Sequence, residues 1–191
     1  MQMNGHAKCI ELLVQHGGEV NHTDDIGFSP LHMASVGGHQ EAVSCLLHFK
    51  ADPHQLAKNQ LAPVHTAALS GSIPTMKRLL AAGAKIKGMR DQSGETPMFC
   101  AAKANRPEML LLLAKQGGEI ETANQEGVTP MWVAAAIGNV GAVAALHKLG
   151  ASTEVRPQSV DGAVKDKTPC EAAEVTCFIM ISPRSAADLD C

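Results

Sequence analysis

Nine histidines and six cysteines are the side chains of this 191-residue sequence best suited to ligate a metal or to pair as nucleophile and base. A zinc site needs three or four such donors converging, usually with two of them a few residues apart. The cysteines stand at 9, 45, 100, 170, 177 and 191 with no C-x-x-C pair. Cys45 and His48, the best-spaced couple on one helix face, make two ligands without a third. No G-x-x-x-x-G-K-[ST] phosphate loop, G-x-S-x-G nucleophile turn, H-E-x-x-H helix or kinase signature occurs. The expectation is therefore no catalytic residue, no metal ligand and no cofactor. Scattered thiols behind a start (Met1 to His6) that lacks a basic, then apolar, leader read as free and mostly buried cysteines. That usage predicts a reducing compartment, cytoplasm or nucleus.

Composition narrows the partners. Hydrophobic residues make up 45% and charged residues 18%, too apolar for a disordered polymer. Four Phe, one Trp and no Tyr leave the core to small and aliphatic side chains, which suits thin stacked helices. Sixteen Lys and Arg against nineteen Asp and Glu give a net charge of −3, so neither nucleic acid nor an anionic membrane is expected as a partner. The longest uncharged apolar stretch, Met131 to Leu146, is interrupted by Gly138, Asn139 and Gly141 and falls short of the roughly 20 residues a membrane-spanning helix needs.

The elements that must position any site repeat. Ser29-Pro30-Leu31-His32-Met33-Ala34 is followed by Ala62-Pro63-Val64-His65-Thr66-Ala67, Thr96-Pro97-Met98-Phe99-Cys100-Ala101 and Thr129-Pro130-Met131-Trp132-Val133-Ala134. Their prolines are 33, 34 and 33 residues apart, and Thr168-Pro169-Cys170-Glu171-Ala172-Ala173 is a fifth copy after 39. Downstream of each, an apolar stripe recurs in step: Ala42-Val43 with Leu46-Leu47, Thr75-Met76 with Leu79-Leu80, Met109-Leu110 with Leu113, Ala142-Val143 with Leu146. Cys9-Ile10 with Leu13-Val14 is the same stripe without a preceding sextet. A hydroxyl at Ser29, Thr96 or Thr129 can cap a helix whose first residue is proline. Gly38, Gly71, Asn105 and Gly138 can end that helix in a left-handed residue. The stripe then predicts a second helix. Two short helices with one apolar stripe cannot close a core alone, so the predicted fold class is all-α, a solenoid of stacked helix-turn-helix units with extended turns between them.

The period and the T-P-L-H-x-A-like sextet resemble the ankyrin repeat. The resemblance implies one domain over residues 4–176: a partial unit 4–23, full units 24–56, 57–90, 91–123 and 124–156, and a divergent last unit 157–176 with an insertion. Residues 177–191 are expected to form an irregular tail. Both ends depart from the pattern, the first unit leaving Ile10 and Leu13 without a covering helix, and this suggests a fragment of a longer chain. Phe99 and Trp132 fill the slot of His32 and His65, a histidine that in the family ties adjacent loops, so four rings in register are expected to form a ladder. Lys50 and Gln60 stand where the family prefers glycine. His147 interrupts the apolar stripe and is expected to reach solvent. Asn21 holds a turn position at which some family members are hydroxylated, but a turn-forming asparagine is the favoured reading.

The resemblance also implies what the chain does: it binds one or more partner proteins as a scaffold or adaptor, through turn tips and the concave face of the inner helices. The contact positions are Asp25, Ile26 and Phe28 in the first full unit, and Lys58, Asn59, Leu61 and Leu69 in the second. The third contributes Gln92, Ser93, Glu95 and Lys103, and the fourth Gln125, Glu126, Val128 and Ile137. Phe28, Leu61 and Val128 are expected to be exposed apolar contacts. Charges of both signs along this face predict no preference for a strongly acidic or basic ligand. The alternative is a regulatory segment of a larger enzyme or channel.

Overall fold

The computed structural model describes residues 5–153. The divergent last unit and the tail expected beyond them lie outside the described residues. Within these, the helices are α1 (Gly5–Gln15), α2 (Pro30–Val36), α3 (Gln40–His48), α4 (Pro63–Ser70), α5 (Ile73–Ala81), α6 (Pro97–Lys103), α7 (Pro107–Lys115), α8 (Pro130–Ile137) and α9 (Val140–Lys148). No strand occurs among the described residues. The helices form two rows. The proline-headed α2, α4, α6 and α8 pack in sequence as the inner row, and α1, α3, α5, α7 and α9 as the outer row, each inner helix also packing on the outer helix that follows it. This is the expected all-α solenoid, in which a unit finds its core mainly in its neighbours.

Side-chain size explains the rows. Ala67, Ala68, Ala101, Ala102, Ala134 and Ala135 are buried between inner helices, where small residues let the backbones approach. On the outer row Leu46, Leu79, Leu113 and Leu146 recur at one position of the repeat and are all 2% exposed or less. His147, one step beyond Leu146, is exposed as expected.

The helix starts follow two solutions. Thr96 Oγ1 accepts from Phe99 N at 3.2 Å and Thr129 Oγ1 from Trp132 N at 3.3 Å, the expected hydroxyl caps. In α2 the third helical residue reaches back instead: Ser29 N donates to His32 Nδ1 at 3.2 Å, and Ser29 Oγ lies 2.9 Å from the same nitrogen. Ser29 therefore bonds the ring rather than capping the backbone, because His32 has already claimed its hydroxyl. Ala62 N donates to His65 Nδ1 at 3.1 Å in the same way, which lets α4 start without any hydroxyl.

These bonds fix the tautomers. A ring nitrogen that accepts from a backbone N–H carries no proton, so Nε2 of each histidine is the donor. His32 Nε2 donates to the Leu61 carbonyl at 3.0 Å, the inter-unit tie expected of that slot. His65 Nε2 is buried without a hydrogen-bond partner. The expected ring ladder does not form between His32, His65 and Phe99: the ring neighbour of His32 is Phe28, centroids 5.3 Å apart. His32 and His65 are each tied through Nδ1 to the start of their own helix, which leaves the two rings unstacked. Lys50 (φ +67°) and Gln60 (φ +61°) do adopt the left-handed conformation for which the family uses glycine.

Candidate protein interface

The turns between units build a ridge. Each is a tight hairpin closed by backbone bonds, such as Asp24 N to the Phe28 carbonyl at 3.0 Å and Asn124 N to the Val128 carbonyl at 2.9 Å. A carboxylate or amide oxygen braces three of them from inside. Asp24 Oδ1 accepts from Ile26 N and Phe28 N, Asp91 Oδ1 from Ser93 N and Glu95 N, and Asn124 Oδ1 from Glu126 N and Val128 N, all within 3.1 Å. Ala57 holds this place in the second unit, where Asn59 Oδ1 accepts from Leu61 N at 3.3 Å instead. Successive tips are then stitched together by backbone bonds, Lys58 N to the Ile26 carbonyl (3.1 Å), Gln92 N to Asn59 (2.8 Å) and Gln125 N to Ser93 (2.9 Å), and Gln125 Nε2 adds a side-chain bond to the Gln92 carbonyl at 2.9 Å. Gly27 permits this approach, since a Cβ there would meet Lys58 N at 2.7 Å.

The stitching aligns Asp25, Ile26, Lys58, Asn59, Gln92, Ser93, Gln125 and Glu126 along one exposed edge. Rigid, pre-ordered edges of this kind lose little entropy on docking. The remaining expected contacts divide. Ile137 is 56% exposed at the end of α8. Lys103 is exposed but holds Glu95 in an ion pair at 3.1 Å, tying α6 to its own turn. Phe28, Leu61 and Leu69 are half-buried. Phe28 lies against His32, the Leu61 carbonyl receives His32, and the Leu69 carbonyl receives Arg106 Nε at 3.2 Å. Val128 is only 4% exposed and belongs to the core, a correction to its expected place on the surface. Its backbone is held at both N–H and carbonyl by Asn124, and its side chain joins the buried cluster.

Exposed apolar residues outside the expected set extend the surface. Val36 is 46% exposed at the inner-helix position that Leu69 and Lys103 hold in later units, a register from which it can be found. Leu56, beside the second tip, is 50% exposed. Asn21 is a turn residue that bridges units: its Oδ1 accepts from Asp52 N at 2.9 Å and its carbonyl from Gln55 Nε2 at 3.0 Å.

Burial shifts the titration of four groups that could do chemistry. Burial, with Glu95 and Asp91 nearby, pushes the Cys100 thiol up to about 12, so it stays protonated at neutral pH. Burial also raises the Cys45 thiol, assisted by Glu11, and its Sγ contacts the Ala7 carbonyl at 3.6 Å. Burial lowers the pKa of His32 against the pull of the Leu61 carbonyl and Asp24, and lowers that of His65 against the pull of Asp91 and the Glu95 carbonyl. Among the described residues no three His, Cys, Asp or Glu side chains gather as a metal site would require. No helix there is long and apolar enough to cross a membrane.

A ridge of stitched hairpin tips over two rows of short helices defines a class of repeat protein. The family model for ankyrin repeats in three copies matches residues 1–57, 45–124 and 64–157, and the chain belongs to that family. Over 50 residues it is 32% identical to protein phosphatase 1 regulatory subunit 27 of Homo sapiens, covering 26% of this chain and 32% of that protein. The Mus musculus protein of the same name is 36% identical over 50 residues. The chain thus matches about a third of the length of these relatives.

Proposed function

We propose that this chain is a non-catalytic adaptor that holds a partner protein against its hairpin tips and the exposed face of its inner helices. The observation that carries the reading is the edge from Ile26 to Glu126, ordered by backbone hydrogen bonds before any partner arrives. The ankyrin family and a relative named as a regulatory subunit support it. So does the chemistry of the buried thiol and histidines, which are committed to structure. The contact residues are those of the tips together with Ile137, Val36 and Leu56, acting in units 24–56, 57–90, 91–123 and 124–156. An intracellular, reducing location fits the free Cys9, Cys45 and Cys100.

The same relative keeps a second reading in view, a segment that regulates an enzyme by holding it. Direct binding to purified protein phosphatase 1 tests whether that relationship extends to this chain. The general test is affinity capture compared with a variant carrying Ile26→Ser and Ile137→Ser. Both side chains are more than half exposed, so the variant keeps its fold while the edge loses its apolar contacts. Loss of captured proteins is expected, and equal recovery of every one by both forms rejects the face.

A further inference from the structure

Charge is not spread evenly along this stack. From Pro53 to Arg90 the chain has six cationic side chains, Lys58, Lys77, Arg78, Lys85, Lys87 and Arg90, and no Asp or Glu. All six are exposed. On either side the balance reverses: the described residues before Pro53 carry six acids against two bases, and those after Arg90 six acids against four. In the turn after the outer helix the reversal is positional. Glu19, Asp52 and Glu119 occupy the place that Lys85 takes in the second unit, and Glu121 the place of Lys87.

The cations have no acidic partner within the described fold: none of the six takes part in an ion pair among the described residues. Two neighbouring acids bond donors within their own turns, Asp52 accepting from His54 N at 2.8 Å and Glu119 from Thr122 Oγ1 at 2.8 Å. The segment that carries Lys85 and Lys87 is anchored between them by Ile86, 7% exposed, and closed by Met89 N donating to the Ile86 carbonyl at 3.2 Å. Lys85 and Lys87 flank that anchor, and both are exposed. Arg90 Nη1 reaches the Ala123 carbonyl at 3.2 Å, and the Gln92–Asn59 backbone bond sets the Lys58 tip beside it.

We infer that this one-repeat-wide basic band takes a short acidic segment of a partner protein, with Lys85 and Lys87 as its centre. The inference rests on the adaptor reading above and names the chemistry of the partner. It departs from the expectation that charges of both signs along the face carry no preference. The band favours a peptide over a nucleic acid on two grounds. Residues 53–90 contain no Phe, Trp or Tyr on which bases could stack. A polyanion longer than the band meets the acidic units on both sides, whereas a short run of Asp and Glu fits between them and is set in register by that repulsion.

The test uses the full chain and a fluorescently labelled peptide alternating Asp and Ser, with its Asn counterpart and a single-stranded oligonucleotide as competing probes. Lys85→Glu with Lys87→Glu is compared with Lys115→Glu and Lys148→Glu, which changes net charge equally outside the band. Circular dichroism checks that both keep native helicity. The expected result is binding of the Asp peptide that salt weakens, that the first variant lowers by about tenfold or more, and that the second leaves within about twofold. Equal weakening by both variants, equal binding of the Asn peptide, or tighter binding of the oligonucleotide overturns the inference. The adaptor reading is scored separately on the Ile26 and Ile137 variant, so either can fail without the other.

Discussion

Leu13 and Leu79 hold the same position of the repeat, one in α1 and the other in α5. Leu79 is fully buried and Leu13 is 65% exposed. Met33 and Cys100 make the same contrast on the inner row, 56% against 1%. Leu13 and Leu79 are the same residue type, and Met33 and Cys100 are apolar residues at one position of the repeat; what separates the members of each pair is the neighbour. Leu79 lies in mid-stack, with units on both sides. Around Leu13, Ile10, Val14, Val20, Pro30 and Leu46 line an apolar groove of about 380 Å³ that no inner helix among the described residues fills. Burial in a solenoid is conferred by adjacent units, so stability rises from the uncovered end toward the middle.

The contrast predicts its own largest effect. Leu79→Ala is expected to destabilise by about 2–5 kcal/mol, the range for emptying a packed core position, and Leu13→Ala by about 0.5 kcal/mol or less. Urea titration followed by circular dichroism measures both, and equal losses would remove the neighbour argument.

A second comparison sets His32 against His65. Both substitutions remove the ring nitrogen that caps the helix start, but His32→Phe also breaks the bond to Leu61 and is expected to cost about 1 kcal/mol more than His65→Phe, whose Nε2 has no partner in bonding geometry. Both histidines have pKa values lowered from 6.5 on folding, chiefly by burial. The unfolded chain therefore binds more protons below that value, and their contribution, complete above about pH 6.5, is lost as pH falls through their folded values. His65→Phe is expected to flatten the decline of melting temperature below pH 6.5; an unchanged slope would show that the ring is not held neutral.

The smallest effect concerns the junction of the first two full units. Replacing Lys50 with glycine relieves a left-handed backbone at an exposed position and is expected to stabilise by about 0.5–1 kcal/mol. The same change at Asn105, a residue that tolerates this conformation and whose Oδ1 accepts from Ala142 N at 2.9 Å, is expected to destabilise. Thermal melts of the two variants read out opposite signs.

Much of this molecule is legible in register. Proline spacing, the hydroxyls of Thr96 and Thr129, the left-handed Gly71 and Gly138 and the leucine column each mark a local requirement of the backbone or the helix period. The tips are legible for the same reason, because a residue two places before Phe28 or Leu61 must sit at a hairpin apex. Ser29 is not, since which hydrogen-bond partner its hydroxyl takes depends on where the His32 ring turns. Val128 looks like Phe28 and Leu61 by position, yet only the packing around the fourth unit makes it core. The basic band was legible in units rather than in the whole chain, where a net charge of −3 conceals it.

By itself the sequence determined the repeat, its two helices, the direction of each apolar stripe and the family, because all of these are set by interactions within a few residues or by periodicity. The tertiary structure decided which copies of an identical position are buried, which histidine completes its hydrogen bonds, and how separate turns join into one ridge. Those outcomes depend on atoms about one repeat away, and identical local sequences carry no record of the neighbour that will cover them.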